Sequence, residues 1–492
     1  MQWETVIGLE VHIQLATRAK LFSSSPVVFG APPNAHASAI DAALPGTLPQ
    51  LNEEALDMAL MFGLAIGSKI DKVSLFERKS YFYPDLPKGY QTTQLQQPVV
   101  GAGQIDVALP DGEVRSVRIH HAHLEEDAGK SVHDSFHAQT AIDLNRAGTA
   151  LLEVVTEPDM RSAVEAVSFA RALHSQVTHL EICDGDLSQG SIRFDVNVSV
   201  RRRGAQALGV RTETKNLNSF RFMEQAINKE VARQIDLLES GGQVVQQTRL
   251  YNGDTGVSQA MRSKEEANDY RYFPCPDLLP VVVDEQRLQR LRQRLPESPK
   301  LRKERFMEQW GLSDYAAQTL AAERATATYF EKAAERCQNA TLVANWVMGE
   351  LMRQLNDHQL AIEQSPVGAT VLAELLRRIE DKTLSTTAAR QVFRTLWQEE
   401  GREVDSVIEQ YGFRQVTDTE AIDAIVKQVL ANHSAQVEDY RRCDAVKQKK
   451  MFGFFIGQTM KAGKGSICPA TARQCLLSRL DQASGSEAAE AD

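Results

Sequence analysis

The sequence predicts an α+β chain: a sheet-rich N-terminal region over residues 1–293, a helical domain at 294–410, a small helical domain at 411–479 and an acidic end at 480–492. Three observations predict it. The 492 residues exceed what one hydrophobic core usually organises. To about residue 290, short alternating or β-branched runs are punctuated by Gly and Pro. Beyond Leu295-Pro296-Glu297-Ser298-Pro299, apolar residues recur at helical spacing with almost no strand signal.

Taken in order, Thr5 to Leu15 alternates strictly, with Glu10, His12 and Gln14 on one face and Leu9, Val11, Ile13 and Leu15 on the other. Ser162 caps a helix whose Glu165 supplies the return half of a capping box. Its Ala166, Phe169, Ala170, Leu173, Val177 and Leu180 share a face. Ser191 to Arg201 repeats the strand device, setting Arg193, Asp195, Asn197 and Ser199 against Ile192, Phe194, Val196, Val198 and Val200; Arg211, Glu213 and Lys215 continue it. A helix at about 219 to 240 stops at Gly241-Gly242. Further helices cover Leu342 to Val347, Val371 to Ile379 and Ala388 to Trp397. A capping box, Thr417-x-x-Glu420, opens one with Ile422, Ile425, Val426, Val429 and Leu430 on one stripe.

Hydrophobic residues at 42% and charged residues at 24% exclude whole-chain disorder and a collagen-like repeat. Six scattered cysteines without a Cys-x-x-Cys pair offer neither a zinc knuckle nor a thioredoxin motif. No leader and no run of roughly 18 uncharged apolar residues is present, so a cytoplasmic protein without a membrane span is expected. A net charge of -10 argues against a surface coated for nucleic acid. That sum hides a contrast, because residues 440 to 479 hold nine Lys or Arg against the single acid Asp444. With Phe452, Phe454 and Phe455 interleaved, Arg441, Arg442, Lys447, Lys449, Lys450, Lys461 and Lys464 suit a polyphosphate backbone. A solvated helix bundle with a phenylalanine core is the plainer alternative.

On a strand face, Glu10 and His12 stand roughly 7 Å apart, close enough to converge on one divalent cation. An ordinary solvated strand face is the competing reading for either strand alone. Two such faces mixing acids, an amide and fixed cations, with His123-Leu124-Glu125-Glu126-Asp127-Ala128-Gly129-Lys130 besides, favour a metal–phosphate site. Carboxylates would hold Mg²⁺, and Arg193 and Lys215 would neutralise a phosphoryl group. Arg78 to Gln91 combines aromatics, prolines, Lys79 and Lys88, which suits stacking on a base or ribose and meeting phosphates, or else a rigid surface loop. Nucleotide motifs fail: Gly129-Lys130-Ser131 lacks the first P-loop glycine, and neither Gly-x-Ser-x-Gly nor His-Glu-x-x-His occurs.

These segments, with Ile7 to His12, Asn145-Arg146-Ala147-Gly148, Glu213 to Phe220, Asp269 to Pro274 and Gly457 to Lys461, occur in an order that resembles the B subunit of the glutamyl/aspartyl-tRNA amidotransferase over nearly the whole chain. The resemblance implies a mixed or antiparallel-sheet cradle domain similar to glutamine synthetase and guanido kinases, then two helical domains. It implies ATP-dependent amidation of Glu-tRNA(Gln) or Asp-tRNA(Asn) through an acyl phosphate, with Mg²⁺. Glu10, His12 and Glu125 carry over as metal ligands, with Asp195 and Glu213 beside them. Lys79 and Lys88 carry over as substrate-loop cations. Arg193, Asn197 and Lys215, as contacts to the ATP phosphates, rest more on strand-face chemistry. No amidase-type Ser-Ser-Lys signature or Cys-His glutaminase is present, so ammonia is expected from a partner A subunit, with a small C subunit completing a heterotrimer. Rival expectations are a free-standing Mg²⁺/ATP amide ligase on a small molecule, and a noncatalytic tRNA-binding adaptor.

Overall fold

Alternating residues force a strand to bury one face and solvate the other, and β1 (Trp3–Gln14) does so: Leu9, Val11 and Ile13 are at most 1% exposed, while Glu10 and His12 stand half-buried on the opposite face. The structure is a computed structural model and describes residues 2–133, 139–263, 267–414, 419–463 and 467–482. It divides into two units, Met1–Pro296 and Glu297–Asp492.

In the first unit the remaining strands around the site are β2 (Glu77–Ser80), β3 (Tyr90–Thr93), β4 (Gly103–Ala108), β5 (Val114–Glu126), β6 (Ala150–Thr156), β7 (Ile192–Arg202), β8 (Thr212–Lys215), β9 (Gln247–Asn252), β10 (Val257–Ser263) and β11 (Phe273–Pro274). Eight of them form one mixed sheet in the order β10-β9-β8-β7-β1-β6-β5-β4. Its pairings are antiparallel except β8 with β9. A separate three-stranded sheet, β11-β2-β3, carries the aromatic and lysine-bearing segment.

The three longest helices of this unit among the described residues are α1 (Glu53–Ala65), α2 (Ala163–His179) and α3 (Phe220–Glu239). The apolar stripe of α2 is buried as its spacing requires, with Phe169, Ala170, Leu173 and Val177 at 0% exposure in one core with Leu9, Val11, Phe194 and Val196. At its start Ser162 Oγ accepts from the Glu165 amide at 3.2 Å. The return bond of the expected capping box is displaced by one residue: Glu165 Oε2 accepts from the amide of Arg161, not from the cap itself. Ser219 caps α3 through the amide of Phe222, and a positive φ at Gly241 ends it, a conformation that costs glycine nothing sterically.

The second unit is helical throughout its described elements, and it carries two separate cores, one from Phe306 to Ile408 and one from Ile422 to Leu480. The helical patterns at 371–379 and 388–397 lie in helices Ala369–Glu380 and Thr386–Gln398, and that at 342–347 lies in helix Ala340–Trp346 with Val347 opening the π-helical turn Val347–Leu351. The later core is built by α4 (Thr419–Asn432), α5 (Ser434–Arg442), α6 (Ala445–Ala462) and α7 (Pro469–Gln482). Thr417, the expected cap, lies outside the described residues, as do Lys464 and residues 483–492 of the acidic end. No helix among the described residues is long and apolar enough to cross a membrane.

The face of α2 that touches the sheet fixes where β1 and β7 lie. Phe169→Ala should therefore lower unfolding stability by about 3–5 kcal/mol, the usual cost of emptying a phenylalanine site, measured as a shift in the urea midpoint of the N-terminal unit.

Candidate metal and phosphate site

Directly opposed residues in an antiparallel sheet project to the same side, so register decides which side chains meet. His12 on β1 stands opposite Glu153 on β6 and Arg193 on β7, and Glu153 in turn stands opposite His123 on β5. One row across four strands thus reads His123, Glu153, His12, Arg193. Glu125, two residues beyond His123, falls on the same face.

The side chains close on one another. His12 Nε2 lies 3.3 Å from Glu125 Oε1 and 3.5 Å from Glu153 Oε2. His123 Nε2 lies 3.2 Å from Glu153 Oε2 and 3.7 Å from Glu125 Oε2. Burial pushes both imidazoles down, yet the two carboxylates outweigh it: His12 titrates well above the ordinary imidazole range and His123 is pushed up to about 9. Burial and the mutual repulsion of the acids oppose ionisation of Glu125, but the imidazoles win and hold it down to about 2; Glu153 is held well below its ordinary range. Two positive and two negative groups balance.

Donor atoms of His12, Glu125 and Glu153 all lie within 4.8 Å of one another. Two carboxylates and one imidazole match an oxygen-preferring divalent cation such as Mg²⁺ or Mn²⁺, and the nitrogen also admits Zn²⁺. The residues therefore fit the metal expected from the sequence, although the ligand set differs in part. Glu10 is not in this triad: its Oε1 accepts from Asn197 Nδ2 at 3.0 Å, one strand over. Asp195 ion-pairs with Lys215, which also lies 3.5 Å from Glu213. Glu213 Oε2 accepts from Thr248 Oγ1 at 2.6 Å. Sequence reasoning did not single out Glu153, whose carboxylate completes this candidate triad. The signal was there, a lone acid inside the apolar run Ala150-Leu151-Leu152-Glu153-Val154-Val155.

A cavity of about 430 Å³ opens on this face, lined among others by His12, Glu125, Lys79, Arg193, Asp195 and Lys215. Its cations are anchored. Arg193 Nη2 donates to Asp127 Oδ2 at 3.0 Å, and that charge raises the guanidinium pKa further. Burial opposes the charge on Lys215, but Asp195 and Glu213 outweigh it and raise its pKa. Lys79 Nζ sits 4.9 Å from the Tyr270 ring centroid. Tyr81, on the cavity wall, has its phenol pushed up by burial and by Glu125, so it stays protonated. Lys88 is placed differently: it ion-pairs with Glu126, which points away from Glu125 by strand alternation, and it lines a smaller cleft with Phe22, Asp41 and Gly148.

In the second unit Arg441 and Arg442 end α5, and Lys447, Lys449, Lys450 and Lys461 lie on α6, all exposed. Lys447, Lys450, Phe454 and Lys461 are spaced three, seven and fourteen residues along α6 and so share a face. The phenylalanines divide: Phe455 is fully buried, Phe452 partly, and Phe454 is 39% exposed.

Residues 5–289 match the family model described as the GatB/GatE catalytic domain, and residues 328–480 match one described as the GatB domain. The chain is 60% identical over 481 residues to the B subunit of the aspartyl/glutamyl-tRNA(Asn/Gln) amidotransferase of Saccharophagus degradans, covering 98% of this chain and all of that one. Proteins of the same name from Teredinibacter turnerae and Cellvibrio japonicus are 58% and 57% identical, with the same coverage.

In metal-free solution the ionised cluster stabilises the fold between two edges. Glu125, depressed to about 2, contributes stability that is fully present above the unfolded value of about 4.3 and lost as pH falls. His123, raised to about 9, contributes stability that is fully present below the unfolded value of about 6.5 and lost as pH rises. The difference in thermal midpoint between the parent chain and Glu153→Gln, both in EDTA, should thus be largest between about pH 4.3 and 6.5 and shrink toward pH 9.

Proposed function

The chain belongs to the GatB/GatE family of amidotransferase subunits, and from that premise we propose that it activates and amidates the side-chain carboxylate of Glu-tRNA(Gln), Asp-tRNA(Asn) or both. The observation that carries this reading is the row of His123, Glu153, His12 and Arg193 with Glu125 beside it, of which His12, Glu125 and Arg193 line one cavity.

A carboxylate resists ammonia until one oxygen becomes a leaving group. A substrate carboxylate oxygen attacks the γ-phosphorus of ATP, and the bond to ADP breaks. Ammonia nitrogen then attacks the carbonyl carbon, phosphate leaves with the C–O electron pair, and the nitrogen gives up a proton. Arg193 and Lys215, held by Asp127 and by Asp195 with Glu213, face the charge that develops on the phosphoryl group without reorganising. Asn197 holds Glu10 beside them. His12, Glu125 and Glu153 would hold a divalent cation, which when bound neutralises phosphate charge and orients it for displacement. Lys79, over Tyr270, meets the incoming acceptor end. Lys88, paired with Glu126, acts at the neighbouring cleft rather than on the phosphoryl group.

Partner chains complete the enzyme. An A subunit supplies ammonia from glutamine, and a small C subunit completes the heterotrimer. The N-terminal unit is the catalytic cradle, of the glutamine synthetase and guanido kinase type. Residues 294–410 form a helical spacer and 411–479 a tRNA-binding tail, and the work is done in the cytoplasm, where aminoacyl-tRNA is made and used.

Reconstitution with the partner subunits, ATP, glutamine and each misacylated tRNA tests the reading. Glu125→Gln should reduce amide formation at least about a hundredfold while tRNA affinity stays within about twofold; equal turnover without tRNA would establish a small-molecule ligase instead. Replacing Lys447, Lys450 and Lys461 together by Ala should lower the slope of log affinity against log salt by about two to three, with kcat at saturating tRNA unchanged. An unaltered slope would move the RNA surface elsewhere.

A further inference from the structure

Two histidines beside the site, His120 and His121, take no part in the triad. The register of β5 against β6 slips between Ile119 and His121, so the strand carries an extra residue there. Such a bulge turns side chains out of strict alternation. His120, which alternation would send to the opposite face, instead brings its Nδ1 to 2.7 Å from Nδ1 of His121. The His121 ring stacks on His123, with centroids 5.2 Å apart and planes at 19°. Its Nε2 lies 3.1 Å from His123 Nδ1. Both nitrogens of His121 are therefore engaged, and the chain of three rings ends on Glu153 and Glu125 through His123 Nε2.

We propose that His121 is a positioning residue for the cation centre: carried into place by the bulge and backed by His120, it fixes the plane and hydrogen-bonding of the His123 ring, and through it the carboxylates of Glu153 and Glu125. The inference rests on reading that centre as a divalent-cation site. A ring bonded at one nitrogen only could rotate about its Cβ–Cγ bond and present carbon to the acids. A partner at Nδ1, with a stacked face, removes that freedom. Glu153 is gripped from both sides, by His12 at 3.5 Å and by His123 at 3.2 Å, so a loose His123 releases one of the acids that the cation needs. Partners one step removed from a metal commonly alter affinity by 10- to 100-fold.

The decisive comparison is His121→Phe, which keeps a stacking ring without nitrogens, against His121→Gln, which keeps a hydrogen-bonding group. In the full chain stripped with EDTA, Mn²⁺ affinity followed by EPR should weaken about tenfold or more for His121→Phe and stay within about threefold of the parent for His121→Gln. Equal weakening in both, or none in His121→Phe, overturns the role. ¹⁵N-histidine NMR of the unmodified chain decides without any variant: His123 should show two distinct, hydrogen-bonded ring nitrogens, and averaged signals would refute a fixed ring. Failure of the underlying reading looks different. The parent would then take up no saturable Mn²⁺ that Glu153→Gln abolishes, whatever the His123 spectrum shows.

Discussion

Charge compensation inside a sheet governs this molecule. Glu125 at the buried C-terminal end of β5 and Glu153 in the middle of β6 are acids where an isolated carboxylate would cost several kcal/mol. They are tolerated because antiparallel register delivers His12 from one side and His123 from the other. The same register places Arg193 next in the row, with Asp127 to hold it. Remove the alignment and the acids would have to protonate or the strands separate. The apolar backs of these strands are packed in one core with α1, α2 and α3. No strand can slip by one residue without exchanging its faces, so the core that stabilises the fold also enforces the geometry of the polar side.

The cations follow the same logic. Arg193, Lys215 and Lys88 are each held by at least one carboxylate, and Lys79 by an aromatic ring. Held cations lose little freedom when an anion arrives, which suits the stabilisation of a developing phosphoryl charge. The arrangement also separates roles. Lys79 lines the cavity beside His12 while Lys88 is turned to a separate cleft by its bond to Glu126, although the two lie nine residues apart in one aromatic-rich segment.

Much of this was legible in the sequence because strand alternation is a local rule. Glu10 and His12, Arg193 and Asp195, and the stripe of α2 all emerge on the faces their spacing requires. What spacing could not reveal was which strands lie side by side. His12 meets Glu153 across about 140 residues of chain, and only register shows that Glu153 belongs with Glu125 while Glu10 leans toward Asn197. The bulge before His121 was likewise invisible, since nothing in Ile119-His120-His121 announces a break in alternation. The helix Glu53–Ala65 was passed over altogether, its capping Asn52 notwithstanding. In the tail, helical spacing located the basic residues, but the separation of Phe455 from Phe454 needed the packing of α6.

Strand β1 ends at residue 14, and the first of its sheet neighbours to be made, β6, ends at residue 156. A ribosome adding about 5–20 residues per second completes that neighbour roughly 7–30 seconds after β1. For that interval β1 is an amphipathic strand without either neighbour of its final sheet, and His12 has no Glu153 to meet. The acid and imidazole on its polar face thus do a second service. They interrupt an apolar run that would otherwise be suited to pairing with another nascent chain. The polar face that later looks into the site also protects the newborn polypeptide while it waits for its partner strand.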